Sequence, residues 1–456
     1  MSISSSETTP DQIVAACRKA GIRLVRFLYC DNGGVIRGKA THVEGLARRM
    51  KEGMALNLAL GAMNSLDQLQ PVQEMGCVGE LRLIPDPTTF TVLPYAPNTA
   101  AMFVDHIRLD GTPYEAGARN FLKRMSNRLA DHGMVLWCAI ENEFSLARRC
   151  EGEFVPMDEG VANSSVRMTN AQDVIDGIVE ALEKQGIQVE EYLPELGHGQ
   201  QELSVTPRPA IQAADAQLIV RDTIRGVASH FGLTASLAPK PWMDQAGNGA
   251  HIHFSLWDPA KQRNLLHDPS GRFALSSTAK RFIAGILDHL PGLLGLTAPS
   301  FNSYQRLEPR HWSSAYVCWG PDNREAAIRV PSTHRGREEA STNLEYKPAD
   351  ASCNPYLALG GLIAAGIDGM ERDLEPPPPA EVDPATMSDQ ERGLNRVERY
   401  PTTLDDALKQ LESDSILRGS LGELLTESYI AVRRSEWVTY SQADQAFQFR
   451  NHFLKY

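Results

Sequence analysis

The sequence predicts an α+β protein with a small, sheet-rich N-terminal domain (residues 1–108) and a larger α+β domain (residues 109–456). Three observations lead to this prediction. The chain has 456 residues, too many for one hydrophobic core of ordinary size. The first hundred residues carry short apolar runs separated by Pro and Gly, which is typical of strands. Beyond them, long segments with helical periodicity alternate with strand-like segments.

A hairpin in residues 23–40 is the clearest element of the first domain. Apolar and polar residues alternate on both sides of Asn32-Gly33-Gly34, a turn sequence that favours a tight connection between antiparallel strands. Further short apolar runs follow it. We place the domain boundary in the turn-rich stretch of residues 109–113, because a helical pattern begins directly after it.

The second domain is predicted to mix helices and strands. Segments with helical periodicity cover residues 116–133, 171–186, 213–232, 277–290 and 354–373. Strand-like segments cover residues 135–148, 200–207, 249–258, 316–321, 326–331 and 344–348. The stretch from residue 404 onward is amphipathic and predicts further helices.

Composition narrows the class of protein. Lys and Arg number 45 against 57 Asp and Glu, so nucleic acid and anionic membranes are poor partners. The start of the chain has neither a basic region nor an apolar one of the kind that directs export. Seven scattered cysteines without a CxxC pair fit a reducing compartment. We therefore expect a cytoplasmic enzyme with small-molecule substrates.

Polar residues share one face on several predicted strands. Successive strand side chains point to opposite sides of a sheet, so Glu141 lies with Glu143, and His251 lies with His253 and Ser255. Any one such strand is more often a solvated surface than a site.

The same pattern recurs on two further strands, where Glu202 lies with Gln200 and Ser204, and Glu345 lies with Lys347. If these faces converge, the carboxylates would repel one another unless cations lay between them. Oxygen ligands with few imidazoles favour Mg²⁺ or Mn²⁺ over zinc.

Arginines are a second group of candidate site residues, beside the carboxylates and imidazoles. Arg306, Arg310, Arg324 and Arg329 lie close together in the sequence, and guanidinium groups suit phosphate and carboxylate oxygens. Divalent ions beside arginines are typical of phosphoryl transfer. The chain lacks both GxxxxGK[ST] and a GxGxxG after a strand, so a nucleotide must bind in another way.

Taken in order, these motifs resemble the glutamine synthetase family over nearly the whole chain. The segments that carry the resemblance are FLYCDNGGVIRGK, ENEF, PELGHGQQEL, APKPW with AGNGAHIHFSL, NSYQRL, CWGPDNREAAIRVP and LEYKPADASCNPYLALGG. The resemblance implies an N-terminal β-grasp domain and a catalytic domain whose curved antiparallel sheet lines the active site. It also implies homo-oligomers, usually dodecamers of two six-membered rings, with each site shared between neighbouring subunits.

Family positions imply a role for each candidate residue. One divalent ion would be held by Glu143, Glu195 and Glu202. A second would be held by Glu141, His251 and Glu345. The residues that would contact ATP are His253, Ser255 and Arg329.

The remaining matched positions concern the substrates. Arg306 and the backbone around Gly247 would hold glutamate, and Arg324 would lie near the transferred phosphoryl group. Asp31 would serve the ammonium site of a neighbouring subunit. The implied reaction has two steps: ATP phosphorylates the γ-carboxylate of glutamate, and an amine then displaces phosphate to give an amide.

Departures from the family pattern bear on the substrate. Trp312 stands where glutamine synthetases proper carry a flap Glu that helps to deprotonate ammonium. An indole cannot act as a base but offers apolar area and a cation–π surface. Lys347 replaces an Arg near the substrate carboxylate, and Ala246 and Ala340 replace an Asn and a Lys. We therefore expect an organic amine as acceptor, with Trp312 and Lys347 in the substrate site.

Alternative interpretations remain open at this point. The chain could be a glutamine synthetase that uses ammonia with Asp31 as the base, or its donor could differ from glutamate. A catalytically inactive assembly or regulatory protein is a different class, and the complete set of metal-ligand positions argues against it. A kinase that phosphorylates a guanidino compound finds no support in the Asp31 turn.

Overall fold

The structure, a computed structural model, describes residues 9–456. The first eight residues, which fall in the predicted N-terminal domain and in the start where we expect no export signal, lie outside the described residues. Two helices and six strands precede the second domain: α1 (Pro10–Lys19), β1 (Leu24–Cys30), β2 (Ile36–His42), α2 (Leu46–Glu52), β3 (Met54–Asn57), β4 (Glu80–Pro85), β5 (Thr91–Val92) and β6 (Thr99–Ile107).

The predicted sheet-rich domain is confirmed. Its strands form one sheet in the order β2-β1-β6-β4-β3, with β5 added to β6. Strands β1 and β2 are the predicted hairpin, antiparallel from Leu24 opposite His42 to Cys30 opposite Ile36. The central pair, β1 and β6, is parallel. The sheet buries its apolar residues against α1 and α2 in a core of its own.

Twelve strands and twelve helices follow. The strands are β7 (Val135–Ile140), β8 (Asn142–Cys150), β9 (Glu153–Pro156), β10 (Val189–Pro194), β11 (Gln200–Val205), β12 (Arg208–Pro209), β13 (Thr234–Ser236), β14 (Ile252–Trp257), β15 (Tyr316–Pro321), β16 (Ala326–Val330), β17 (Leu344–Tyr346) and β18 (Glu398–Arg399). The helices are α3 (Ala118–Asp131), α4 (Ser165–Lys184), α5 (Ala210–His230), α6 (Ser277–Thr297), α7 (Ser303–Arg306), α8 (Glu338–Ser341), α9 (Pro355–Glu371), α10 (Asp389–Asn395), α11 (Leu404–Ser413), α12 (Ser415–Leu421), α13 (Glu423–Gln442) and α14 (Gln445–Lys455).

These strands form two sheets that meet at the cavity of the candidate active site. One has the order β10-β11-β8-β13, with β9 beside β8; the other has the order β12-β7-β14-β17-β16-β15-β18. Every pair within the two sheets is antiparallel except β15 with β16, which is parallel. The helices pack behind the sheets. Helix α9 is apolar around most of its surface and is buried among them from Pro355 to Gly369.

The segment that we predict as one strand, residues 135–148, is two strands. The chain leaves β7 after Ile140 and enters β8 at Asn142, so that Glu141 lies between the two sheets. The buried Asn142 side chain stabilises the crossing, since its Nδ2 donates to the Ile140 carbonyl (3.0 Å) and its Oδ1 accepts from Gln217 (2.7 Å). The Asn142 side chain thus makes hydrogen bonds where pairing between strands is interrupted. The alternation of apolar and polar residues does not reveal this interruption.

Among the described residues, the helices are either too short or too polar to cross a lipid bilayer. This finding agrees with the sequence, in which the most apolar stretch is interrupted by glycines.

The turn between β1 and β2 joins the two domains. Asn354, at the start of α9, donates to the carbonyls of Cys30 and Asp31 (both 3.1 Å). Arg221 of α5 donates to the Gly34 carbonyl (2.8 Å), and the hydroxyl of Tyr456 donates to the Gly33 carbonyl (2.8 Å). The turn is therefore held by residues far apart in the sequence.

Gly34 is predicted to be essential for this docking. Its φ is +73°, and a Cβ there would collide with the Ser352 carbonyl. We expect Gly34→Ala to lower the free energy of unfolding by about 1 kcal/mol for the left-handed backbone and by a further ~1–3 kcal/mol for the overlap.

Gly21→Ala is the matched control. Gly21 has a similar φ of +70°, but the nearest atom to an added Cβ, Asn98 Oδ1, is 3.9 Å away. Urea denaturation of both variants should show the larger loss for Gly34→Ala. Equal losses would mean that the Ser352 contact adds nothing.

Candidate active site

Strand register brings the predicted polar residues together. In the larger sheet, His253 of β14 lies opposite Glu345 of β17, which in turn lies opposite Arg329 of β16. In the smaller sheet, Glu143 of β8 lies opposite Glu202 of β11. Directly opposed residues have adjacent side chains, so two carboxylate-bearing faces meet where the sheets meet.

Both imidazoles contact the carboxylate of Glu141. His251 Nδ1 lies 3.3 Å from Glu141 Oε2 and 3.6 Å from Glu345 Oε1, and His253 Nε2 lies 3.1 Å from Glu141 Oε1. Asn343 Oδ1 is 2.9 Å from the other nitrogen of His253 and fixes its ring. Burial would raise the pKa of Glu141, but the two imidazoles outweigh burial and hold that pKa well below its usual range.

The separate roles that the sequence interpretation gives to the two histidines remain predictions. We expect His251 with Glu141 and Glu345 as ion ligands, and His253 at ATP. One group of potential ligand atoms, from Glu141, His253 and Glu345, lies within 4.8 Å of one another, so His253 is as near to this group as His251 is. Burial would lower the pKa of His253, but the Glu141 carboxylate outweighs burial and raises it to about 9.

A second acidic group consists of Glu143, Glu195 and Glu202. Glu143 Oε2 accepts hydrogen bonds from the Gly249 amide (2.9 Å) and from Gln200 Nε2 (3.0 Å). Burial and the neighbouring carboxylates of Glu141, Glu143 and Glu195 raise the pKa of Glu202 to about 10. Burial and then Glu143 raise the pKa of Glu195 as well. Without a cation nearby, the carboxyl of Glu202 therefore retains its proton at neutral pH.

Glu345 is fully buried and is balanced by two cations. Lys347 Nζ lies 2.9 Å from Glu345 Oε1, and Arg329 donates to Glu345 Oε2 (2.8 Å). Burial would raise the pKa of Glu345, but Lys347 and then the two histidines outweigh burial and lower it. Lys347 therefore lies against the acidic cluster as well as facing the cavity.

These groups surround one cavity of about 1760 Å³. The predicted site residues that line it are Glu141, Glu143, Glu195, Glu202, Gly247, His251, His253, Ser255, Arg306, Trp312, Arg324, Arg329 and Lys347. Glu345 lies directly behind this wall, in contact with three of them. A side chain at Gly247 would collide with Arg306, so glycine is what lets the arginine pass.

Asp31 is not brought to this cavity within one chain. Its side chain is 1% exposed, pairs with Arg37 Nε and accepts from the Val35 amide (2.8 Å). Its predicted part in a neighbouring subunit's site therefore remains a prediction.

Trp312 lies on a loop at the mouth of the cavity, the Trp312 loop (residues 308–314), between α7 and β15. The residue is 57% exposed. Its backbone amide donates to the buried carboxylate of Glu325 (2.7 Å), and so does the amide of Arg310 (3.1 Å). The loop thus presents an indole where the family pattern has an acid.

Sequence reasoning assigns no role to three residues that shape this site. Gln200 is detectable in principle, because it shares a strand face with Glu202, and its amide holds Glu143 and the Gly247 carbonyl (2.9 Å). Asn343 and Glu325 act through contacts with distant segments, and no periodicity in the sequence marks them.

The donor set fits divalent cations. It is rich in carboxylate oxygens, contains two imidazoles, and includes carboxyls whose pKa values are raised by their own neighbours. Such repulsion is relieved when a hard cation lies between the oxygens. The nearby arginines, Arg306, Arg324 and Arg329, would meet anionic substrates.

Two family models match the chain in succession. The glutamine synthetase N-terminal domain matches residues 10–114, and the glutamine synthetase catalytic domain matches residues 115–452.

Several relatives align with this chain over nearly its whole length. The γ-glutamylpolyamine synthetase GlnA3 of Streptomyces coelicolor is 35% identical, over 91% of this chain and 90% of its own. The glutamine synthetase of Methanocaldococcus jannaschii is 32% identical, over 94% and 95%. Among solved structures, a novel glutamine synthase homolog superposes with a TM-score of 0.85 at 33% identity, covering 95% of this chain and 99% of that one. GmaS with ADP gives a TM-score of 0.83 at 27% identity, covering 96% and 98%.

The raised pKa of Glu202 predicts proton release when Mg²⁺ binds. At pH 7.5 its carboxyl is protonated in the metal-free protein, because its pKa is about 10, and a bound cation must displace that proton. Calorimetric titration with Mg²⁺ in two buffers of different ionisation enthalpy should report about one proton released per site. Affinity should also rise with pH.

Glu202→Gln should abolish this proton release. Glu190→Gln is the matched control, since Glu190 lines the same cavity but is exposed on β10, outside the acidic cluster. A proton count that is the same in Glu202→Gln as in the unmodified protein would show that the proton comes from elsewhere.

Proposed function

This chain belongs to the glutamine synthetase family, and we propose that it is an ATP-dependent ligase that joins the γ-carboxylate of glutamate to an organic amine. The observation that carries the choice of acceptor is Trp312. Its exposed indole lines the mouth of the cavity, where an acid would be needed to deprotonate ammonium. An aromatic face offers cation–π contact to either acceptor, but only an alkylamine has an apolar part that can also be buried against the indole.

The first proposed step forms an acyl phosphate. An oxygen of the γ-carboxylate of glutamate attacks the γ-phosphorus of ATP, and ADP leaves. Arg306, which lies against Gly247, would hold glutamate, while Arg324 and Arg329 would face the phosphoryl oxygens. Guanidinium groups stabilise the charge that spreads over those oxygens during transfer. His253 and Ser255, on one face of β14, would contact ATP.

Divalent ions complete the proposed site. Glu143, Glu195 and Glu202 would hold one ion, and Glu141, His251 and Glu345 the other, with His253 close enough to share it. Bound Mg²⁺ or Mn²⁺ would neutralise phosphate charge and polarise the phosphoryl group.

The second proposed step forms the amide. The amine nitrogen attacks the acyl carbon, phosphate leaves with the bonding electrons, and the amine proton passes to a base. Phosphorylation is what makes this step feasible, because phosphate leaves readily and an oxide ion does not. Asp31 of a neighbouring subunit is the proposed base, which requires its carboxylate to exchange Arg37 for the amine.

Similarity alone does not choose the acceptor. The γ-glutamylpolyamine synthetase of Streptomyces coelicolor is 35% identical to this chain and the glutamine synthetase of Methanocaldococcus jannaschii is 32% identical, so the two relatives differ little in their similarity to it. Glutamine synthetase proper is therefore the second candidate, favoured by the retention of Asp31. The intact acidic cluster argues against an inactive homologue, since buried carboxylates are costly to keep without a cation.

Phosphate release tests the proposal. With ATP, Mg²⁺ and glutamate, we expect one of methylamine, ethanolamine, putrescine or spermidine to support faster release than ammonium does. Trp312→Glu should reduce amine-dependent release and increase ammonium-dependent release, whereas Trp312→Phe should keep the amine preference. Ammonium preferred by the unmodified protein would show that the chain is a glutamine synthetase.

We further propose that the subunits form rings and that each active site is shared between two neighbouring subunits. We expect Asp31→Asn and Arg324→Ala each to be nearly inactive. Co-assembly of the two in equal amounts should restore about a quarter of the activity, because that fraction of shared sites then combines two unmodified halves. A mixture that stays inactive, although mass spectrometry shows mixed oligomers, would place Asp31 outside the neighbour's site.

A further inference from the structure

The backbone of the Trp312 loop has an unusual conformation. Arg310, Trp312 and Ser314 have φ values of +65°, +55° and +64°, while the residues between them do not have positive φ. Left-handed conformations are unfavourable for residues with a Cβ and persist only where the surroundings impose them. Three in alternate positions of one short loop therefore require something that stabilises them.

Alternating left- and right-handed residues turn successive backbone N–H groups toward one side, forming a concave site for an anion. Glu325 provides that anion. Its Oε1 accepts from the Trp312 amide (2.7 Å) and its Oε2 from the Arg310 amide (3.1 Å). Glu325 as a residue is 6% exposed, and within residues 9–456 its carboxylate forms no ion pair with a Lys or Arg side chain.

The C-terminal end of the Trp312 loop is held by side-chain hydrogen bonds of its own. Ser313 donates to the Arg306 carbonyl (2.7 Å), and the Ser314 hydroxyl lies 2.7 Å from that of Tyr400. In the part of the chain that the structure describes, the amides of Arg310 and Trp312 make no hydrogen bonds other than those to Glu325. These two backbone amides therefore depend on this one carboxylate, while the Arg310 side chain also lies 3.9 Å from that of Asp383.

We propose that Glu325 is a positioning residue that holds Trp312 at the mouth of the cavity and thereby sets the selectivity for the acceptor amine. This inference rests on the proposed function for its catalytic consequence. Its structural part, that Glu325 fixes the indole, is independent of which acceptor the enzyme uses. Glu325 itself does not touch the substrates, and its effect passes through the backbone of Trp312.

The first test is spectroscopic. The chain has six tryptophans, so the signal of Trp312 is obtained as the difference between each protein and its Trp312→Phe counterpart. Glu325→Gln retains the size of the side chain but loses the charge and one acceptor oxygen. We expect it to increase quenching of the Trp312 fluorescence by acrylamide, and Glu325→Asp to have an intermediate effect. Unchanged quenching in Glu325→Gln would overturn the proposal.

Glu308→Gln is the matched control for this experiment. Glu308 lies on the same loop and pairs with Arg399, but it does not contact the Trp312 amide. The same chemical change there should leave quenching unaltered. Thermal unfolding of every variant checks that the fold is retained.

The second test is a double-mutant cycle on kinetics. Glu325→Gln should raise KM for the preferred amine about ten- to a hundredfold, with KM for ATP unchanged. In a Trp312→Ala background the same substitution should have no further effect on the amine. Glu325 neighbours Arg324 in sequence, and an effect through Arg324 would instead persist in that background, which would overturn the proposal.

The two tests also separate this inference from the proposed function. If ammonium proves to be the acceptor, the amine specificity fails, but the quenching experiment still decides whether Glu325 fixes the indole. If an amine is the acceptor and quenching does not change, the function stands and the role of Glu325 is wrong.

Discussion

Repulsion between carboxylates is the constraint on which this structure depends. Glu141, Glu143, Glu195 and Glu202 converge where two sheets meet, and burial together with the charge of the other three raises the pKa of Glu202 to about 10. Few folds can keep such a group in place, because each carboxylate gains by moving into water. Here β8 and β11 carry Glu143 and Glu202, Glu195 directly follows β10, and Glu141 lies between β7 and β8. A cation that enters lets these carboxyls ionise together.

Lysine and arginine side chains lie on the side of the cavity that faces the acidic cluster. Lys347 and Arg329 are both bound to Glu345, so that the wall nearest the larger sheet is close to neutral. Arg306 and Arg324 are engaged by no carboxylate among the described residues, and both face the cavity. Anionic substrates therefore meet free guanidinium groups on one side and acids that attract cations on the other. This polarity suits an ATP-dependent ligase better than a binding protein.

Much of this arrangement follows from the sequence, because strand alternation is a local property. The shared faces of His251 with His253 and of Glu345 with Lys347 are visible in the order of residues, and strand pairing then brings them together. The division of residues 135–148 into two strands is not visible, since it depends on the buried contact of Asn142 with Gln217, 75 positions away. The hydrogen bonds that Glu325 accepts from the Trp312 loop cannot be predicted from the sequence for the same reason. Their donors are backbone amides, which leave no pattern in the order of residues. The burial of Asp31 against Arg37 depends on how one turn packs, and alternation cannot predict it.

The turn that carries Asp31 has a consequence for how the protein is made. Its backbone is completed by Asn354 and by Tyr456, the latter separated from Gly33 by 423 positions. Chains are synthesised from the N-terminus, and domains usually fold as they emerge. This hairpin is synthesised 423 positions before its partner Tyr456, so that their contact carries a considerable cost in loop-closure entropy. A nascent chain can therefore hold a folded first domain whose Asp31 turn is still unsupported, and we expect that turn to be the part most dependent on chaperone protection during synthesis.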